Sequence, residues 1–268
     1  MILQMNGPIV ADEWAWVYEY FQLPFACPKM LRDALAQLPA DDKLVLEINS
    51  PGGDVWAGFE MYGVLRGCNK PTEAHVIALA ASAATTLMIG CDTVLASPVA
   101  QIMAHQPAAD PGGAINNTET REFLQFLDSV KASILNGYQI KCGDKVSRKK
   151  LEQLMDATTW MPVQDAIAIG LVDGLLDSSA EDEAMLQMTA GRMVGVQNAA
   201  GGESPLTLLA RYEQAVRNGA KPVDGHPVAG AAAETPGDAA GKPEDQPGGA
   251  DKWRLQARID LERARAVE

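Results

Sequence analysis

Short apolar runs with the composition of strands alternate with helical patterns along residues 1–177. Four strands are predicted, at Leu44–Ile48, Val76–Leu79, Thr93–Ala96 and Gln101–Ala104. The predicted helices are Leu31–Leu38, Val55–Leu65, Ala83–Ile89, Asn117 to about Lys141, Lys149–Met155 and Val163–Ile169. Alternation of this kind predicts an α/β domain over residues 1–177.

The chain changes character after Asp177, where the alternation ends. Residues 178–218 are predicted to form a helical extension, with amphipathic segments at Glu181–Met188 and Pro205–Val216. Residues 219–250 are rich in Ala, Gly and Pro, and we predict a disordered linker there because few large apolar side chains are available for a core. Residues 251–268 predict a short terminal helix, either solvated or docked on a larger assembly.

The overall charge and the cysteines exclude several classes of protein. A formal net charge of −13 argues against a nucleic-acid-binding protein, which needs a basic surface for phosphates. The 4 cysteines are scattered without metal-ligand spacing, so we expect free thiols, no zinc and a reducing, cytoplasmic compartment. We expect no membrane span and no signal peptide, because the apolar runs are too short and no basic residue precedes the first one.

Ser82 lies at the junction of a predicted strand and a predicted helix, in IALAASAATT. Such a junction suits a nucleophile, because the turn exposes the hydroxyl and the helix start favours developing negative charge. The small neighbours of Ser82 let a substrate carbonyl approach the backbone. Serine is also a favoured N-cap residue, so Ser82 taken alone is more simply explained as a helix cap.

His105 is the histidine best placed for chemistry, because it follows the strand Gln101–Ala104 where a loop begins. His75 precedes the strand that leads to Ser82, and His226 lies in the predicted linker. His105 is therefore the candidate general base for a serine nucleophile.

The glycine pair Gly52–Gly53 follows a predicted strand in the turn INSPGGD. Glycine takes backbone conformations closed to other residues and brings N–H groups against a ligand. The N–H of one of these glycines, with that of Ala83, would form a two-donor oxyanion site.

The segments INSPGG, AAS, MAHQP and GLVD, in this order within about residues 40–177, resemble the proteolytic subunit of the Clp protease family. The resemblance implies the spiral α/β fold shared with crotonases and a serine endopeptidase that works through an acyl-enzyme. It assigns Ser82 as nucleophile, His105 as general base, and Gly52 with the Ala83 N–H as oxyanion hole. It also implies protein or peptide substrates, no cofactor or metal, a homo-oligomeric ring of seven or fourteen subunits, and a separate ATP-dependent unfoldase.

The stretch MDATTWMPVQDAIAIGLVD departs from the family pattern, because it places Thr158 where the family has its catalytic aspartate. Asp156 lies two residues earlier, and Asp165 falls in the following predicted helix, where we expect a structural role. Either Asp156 reaches His105, or the site works as a weaker dyad.

The long C-terminal tail and the pair Ala83–Ala84 after the serine are similar to Clp-related proteases of bacteriophages and prophages, which mature phage heads by cleaving capsid or scaffold proteins. Two alternatives stay open. One is a shell or scaffold subunit of the same fold with weakened catalysis, and the other is a crotonase-like acyl-CoA enzyme.

Overall fold

The computed structural model describes residues 1–111, 113–176, 194–195, 203–226 and 228. The strands are β1 (Ile2–Asn6), β2 (Leu44–Ser50), β3 (Thr72–Ala81), β4 (Thr93–Ala96), β5 (Gln101–Ala104), β6 (Thr159–Pro162), β7 (Gly174–Leu175) and β8 (Val194–Gly195). The helices are α1 (Ala15–Tyr20), α2 (Pro28–Gln37), α3 (Val55–Gly67), α4 (Ala83–Met88), α5 (Asn117–Cys142), α6 (Arg148–Asp156), α7 (Val163–Ile169) and α8 (Pro205–Arg217), with short 3-10 helices at Asp12–Trp14 and Gly143–Lys145. The predicted α/β class is confirmed.

The strands form one mixed sheet in the order β1-β2-β3-β5-β6-β8, with β4 beside β3 and β7 beside β4. β1, β2, β3 and β5 run parallel, whereas β6 is antiparallel to β5 and β8 to β6. β3 divides its outer edge between two partners, pairing first with β4 and then with β5. It bulges between them, because the step from Ile48 to Ser50 in β2 spans Val76 to Ala80 in β3. The carboxyl ends of β3 and β5 therefore lie side by side.

The main core lies between the sheet and helices α2 to α7. β2 is apolar along most of its length because both of its faces are covered, as in other central parallel strands. Leu46 and Ile48 of β2 and Val76 of β3 are fully buried. α3 begins directly after the glycine turn, where the Asp54 carboxylate caps it by accepting the Ala57 N–H at 2.7 Å. The cap and the core thus fix the start of α3 beside the ends of the strands.

A second buried cluster joins the two ends of the described chain. This α1–α8 cluster consists of Val10, Trp14, Val17, Tyr18, Cys27, Leu208, Leu209, Tyr212, Val216 and Val228. The Tyr212 hydroxyl donates to the His226 carbonyl at 2.7 Å and accepts the Val223 N–H at 3.0 Å, while Trp16 stacks on the His226 ring at 3.9 Å between centroids. The start of the segment 219–250, expected to be a disordered linker, therefore packs on α1 and α8 as far as the described residues extend, because Tyr212 and Trp16 supply the buried surface that its composition lacks.

The predicted helix Pro205–Val216 is confirmed as α8, whereas Glu181–Met188 and residues 251–268 lie outside the described residues. The division of the chain after Asp177 into a domain, an extension, a linker and a terminal helix stays a prediction. None of the helices within the described part of the chain is long and apolar enough to cross a bilayer.

Candidate active site

Parallel pairing of β3 with β5 brings the two residues singled out for chemistry together. Ala81 is opposite Met103, and the Ser82 N–H donates to the Met103 carbonyl at 3.0 Å. Ser82 and His105 follow these two strand ends directly. The Ser82 Oγ lies 2.6 Å from the His105 Nε2, a normal distance for a strong hydrogen bond between a hydroxyl and an imidazole.

Ser82 adopts a backbone conformation that few residues other than glycine take, with φ 55° and ψ −124°. Conformations of this kind cost about 1–3 kcal/mol and persist where the surrounding structure enforces them, often at active sites. The serine side chain makes no capping hydrogen bond to α4. Its hydroxyl faces His105 instead, so the helix-cap explanation does not account for Ser82.

His105 is half-buried at the end of β5. Burial lowers the pKa of its imidazole below the ordinary value, because a low-dielectric environment disfavours the charged ring, and none of the carboxylates in the described part of the chain contributes to the shift. The imidazole is therefore neutral near pH 7. A neutral ring with Nε2 at 2.6 Å from the hydroxyl is able to accept its proton.

The glycine turn packs against the peptide that follows Ser82. Gly52 has φ 91°, and a Cβ at this position would lie 2.5 Å from the Ala81 carbonyl oxygen and 2.7 Å from the Ser82 Cβ. The far side of the turn is held by Ile9, whose N–H donates to the Gly52 carbonyl at 2.7 Å and whose carbonyl accepts the Asp54 N–H at 2.9 Å. Only glycine fits this contact, and the neighbouring N-terminal segment fixes the turn in place.

The backbone donors near Ser82 differ in how they are used. The Gly52 N–H, the second oxyanion donor expected from the resemblance, donates to the Ser50 Oγ at 3.1 Å. The Gly53 N–H points away from Ile9, since the Gly52 carbonyl and the Asp54 N–H occupy the side of the turn that faces Ile9. Within the described residues, neither the Gly53 N–H nor the Ala83 N–H has an acceptor. Neither N–H is therefore committed to a partner in that part of the chain.

Thr158 and His105 both flank the same end of the antiparallel pair of β5 with β6. Ala104 is opposite Thr159 in the last pair of this ladder; His105 follows Ala104, and Thr158 precedes Thr159. Thr158 has a positive φ of 49° in the tight turn that connects α6 to β6. A threonine, which carries no charge, thus stands one residue beyond the strand pair that His105 also follows.

The two nearby aspartates have other surroundings. Asp156 is exposed at the end of α6, and its Oδ1 accepts a hydrogen bond from the Lys131 Nζ at 2.5 Å. Asp165 is buried in the first turn of α7. Sequence reasoning missed Ser50 and Ile9, which hold the glycine turn, because nothing in their local sequence indicates a contact with that turn.

Comparisons with known proteins identify the family of this chain. The sequence model of the Clp protease family matches residues 28–179. The ATP-dependent Clp protease proteolytic subunit 1 of Chlamydia muridarum is 36% identical over 144 residues, which cover 50% of this chain and 70% of that protein. Subunit 2 from Thermobifida fusca is 29% identical over 154 residues, covering 55% of this chain and 73% of the relative.

A solved structure of a ClpP1 variant from Listeria monocytogenes superimposes with a TM-score of 0.53 and covers 68% of this chain and 94% of that one. Its sequence identity to this chain is 18%, so the superposition shows a shared fold.

Proposed function

Because this chain belongs to the Clp protease family, we propose that it is a serine endopeptidase with Ser82 as nucleophile and His105 as general base. The observation that carries the proposal is the 2.6 Å approach of the Ser82 Oγ to the neutral His105 imidazole at two adjacent strand ends. No metal or cofactor is needed for this chemistry.

The reaction starts when the His105 Nε2 takes the Ser82 proton as Oγ attacks the carbonyl carbon of a peptide bond. The negative charge that develops on the carbonyl oxygen needs donors already in place. The protonated His105 then gives its proton to the leaving amine, which leaves an acyl-enzyme on Ser82. Water activated by the same imidazole hydrolyses the ester and restores the free hydroxyl.

We propose that the Ala83 N–H and the glycine turn form the oxyanion site. Gly52 makes the close approach to Ser82 possible, but its N–H is engaged by Ser50. The Gly53 N–H is the available donor of the turn and lies on the side away from Ile9. In this arrangement Gly52 contributes the space and Gly53 contributes the hydrogen bond.

The general base works in this proposal as a dyad with Ser82. Asp156 binds Lys131, and among the residues that the structure describes burial is the cause of the lowered pKa of His105. Thr158, which precedes β6 at the same end of the β5–β6 pair, has no charge to offer the ring. A dyad stabilises the imidazolium less than a triad does, so we expect slow turnover.

Labelling of the protein with a fluorophosphonate probe, together with hydrolysis of a casein substrate, tests the proposal. Wild type should be labelled and active, Ser82→Ala should be neither, and His105→Ala should be labelled much more slowly. Ser133→Ala, which removes an exposed hydroxyl on α5, is the matched control and should behave as wild type. Undiminished hydrolysis by Ser82→Ala would overturn the assignment.

A homo-oligomeric ring is the assembly that we propose for this subunit. An exposed aromatic patch supports it: Trp56 and Phe59 on α3 contact each other, and Trp56 also contacts Phe126 on α5 at 6.1 Å between ring centroids. Trp56 is 42% exposed and Phe126 38% exposed, and exposed apolar patches of this kind mark protein interfaces. We call these three residues the α3–α5 patch.

We propose protein substrates and a partner protein for this subunit. The similarity to phage and prophage enzymes suggests capsid or scaffold proteins as substrates, and the family suggests a separate ATP-dependent unfoldase. Four cysteines without disulfide bonds fit a cytoplasmic location. Incubation of the purified protein with folded and with unfolded substrate tests the need for an unfoldase, since an independent endopeptidase cleaves exposed segments of folded proteins.

A second candidate function is a structural subunit of the same fold with weakened catalysis. The specific observation in its favour is the uncharged Thr158 at the end of the β5–β6 pair that His105 follows. A ring-forming protein that the fluorophosphonate probe fails to label would support this function over the endopeptidase.

A further inference from the structure

A buried chain of hydroxyl groups leads from α5 to the peptide that follows Ser82. The Tyr138 hydroxyl lies 2.6 Å from the Thr85 Oγ1, and the Thr85 Oγ1 lies 2.5 Å from the Ser82 carbonyl oxygen. Thr85 is fully buried in α4, and Tyr138 is 2% exposed. The long helix α5 is thereby connected to the backbone of the proposed nucleophile through two side chains.

The direction of donation in this chain follows from the chemistry of its members. A carbonyl oxygen only accepts, so the Thr85 hydroxyl donates its proton to Ser82. Tyr138 must then donate to the Thr85 Oγ1. Burial raises the pKa of Tyr138 to about 12, so the phenol keeps its proton at any pH at which the protein is assayed.

The Ser82 carbonyl and the Ala83 N–H belong to one planar peptide group and point in opposite directions. The carbonyl accepts two hydrogen bonds from residue 85, one from Thr85 Oγ1 at 2.5 Å and one from the Thr85 N–H at 2.9 Å. A group that fixes the direction of the Ser82 carbonyl therefore also fixes the direction of the Ala83 N–H. Hydrogen bonds in series also polarise each other, which makes this N–H a stronger donor.

The Ser82 conformation needs such support, because its φ of 55° is strained for a residue with a Cβ. The Ser82 N–H is held by Met103 of β5, so the Tyr138–Thr85 chain fixes the opposite end of the residue. An apolar side chain of the same shape as threonine would fill the space at position 85. The hydroxyl at this position is explained by its bond to the Ser82 carbonyl.

We propose that Thr85 and Tyr138 are positioning residues that aim the Ala83 N–H at the oxyanion formed during peptide hydrolysis. The inference rests on the proposed function, since it assigns these residues a role in the same site. Neither side chain touches the substrate, and both act through the 82–83 peptide group. Their effect should appear in the transition state, where the oxyanion carries its charge, and not in substrate binding.

Steady-state kinetics of four variants test this role. Thr85→Val and Tyr138→Phe each remove one hydroxyl at nearly constant volume, Thr85→Ser keeps the hydroxyl, and Thr86→Val changes a buried threonine of the same helix as a control. We expect kcat to fall about tenfold for the first two, as for the loss of one supporting hydrogen bond, with KM unchanged within about twofold. Thr85→Ser and Thr86→Val should keep the wild-type kcat.

The double variant Thr85→Val/Tyr138→Phe separates the proposed role from a loss of stability. Thr85→Val alone leaves the buried Tyr138 hydroxyl without its acceptor, whereas the double variant removes both hydroxyls. Its kcat should fall no further than that of Thr85→Val alone, since both side chains act in one series. A wild-type kcat for the Thr85→Val variant would overturn the inference. It would also be overturned if the fall in kcat of each variant simply paralleled its fall in Tm. If wild type is inactive, or Ser82→Ala is as active as wild type, the proposed function fails and the inference fails with it.

Discussion

Replacement of Gly52 by alanine tests how closely the glycine turn and the nucleophile are coupled. The new Cβ would lie 2.5 Å from the Ala81 carbonyl oxygen, 2.7 Å from the Ser82 Cβ and 2.9 Å from the Ala83 nitrogen. All three distances are shorter than contacts that real Cβ atoms make, so either the turn or the Ser82 backbone must move. Every atom in the way belongs to the proposed catalytic peptide or its neighbour.

Gly52→Ala should lower the free energy of unfolding for two reasons. A non-glycine residue at a φ of 91° pays about 1–2 kcal/mol, by analogy with the left-handed helical region. Overpacking of a tight contact adds about 1–3 kcal/mol. The sum of about 2–5 kcal/mol corresponds to a fall in Tm of about 4–20 °C for a domain of this size. A displacement of about 1 Å at the reacting atoms can cost about 100-fold in rate, so we expect kcat to fall by about that factor.

Gly63 provides the matched control for this substitution. It lies exposed in α3, and no described atom would lie within 4 Å of its Cβ beyond its own helix and chain neighbours. Gly63→Ala should raise the free energy of unfolding by about 0.5–1 kcal/mol and leave kcat unchanged. Thermal unfolding by circular dichroism and casein hydrolysis below the Tm of each variant measure both effects. A Gly52→Ala variant with wild-type kcat and Tm would refute the proposed packing of the turn on Ser82.

Three further outcomes follow from the site and its surroundings. Burial lowers the pKa of His105, and the neutral imidazole is the base, so kcat/KM should rise with pH. The half-maximal value should fall below pH 6.5, the ordinary pKa of histidine. A midpoint above pH 6.5 would contradict a base without a charged partner. Thr158→Asp adds a carboxylate at the end of the β5–β6 pair that His105 follows, so it should raise that midpoint and increase kcat. Asp156→Asn should leave the pH profile unchanged, because Asp156 binds Lys131 at the surface. Phe126→Glu in the α3–α5 patch should lower the mass of the assembly in light scattering without lowering Tm, and an unchanged mass would remove the patch from the interface.

Much of the fold follows from local patterns, and the exceptions have a common cause. α3, α5 and α8 were predictable because capping residues and apolar periodicity agree along each of them. β6 was not, because four residues that include Pro162 carry too little pattern, and the pairing with β5 decides their conformation. β1 likewise becomes a strand because it pairs with β2, which lies about 40 residues later in the sequence.

The candidate site divides in the same way. Ser82, His105 and the glycine pair could be found from their order and from the residue types that follow strand ends. Their distances could not, because they depend on how β3 shares its edge between β4 and β5. The positive φ of Ser82 and the link from Tyr138 to Thr85, which are 53 residues apart, leave no signal in the local sequence. Asp156 was a reasonable candidate for the catalytic acid because it lies two residues from Thr158, but in the structure its carboxylate binds Lys131.

The α1–α8 cluster has a consequence for synthesis of the chain. Its first half, which ends at Cys27, leaves the ribosome well before its second half, which begins at Leu208. At about 5–20 residues per second the aromatic side chains of α1 stay without their partner helix for roughly 10–40 s. Trp16 and Tyr20 are therefore open to chaperones, or to the same segment of another nascent chain, throughout translation of the protease domain. A ribosome stalled before residue 205 should present α1 as a chaperone-binding segment, and release of the full chain should bury it.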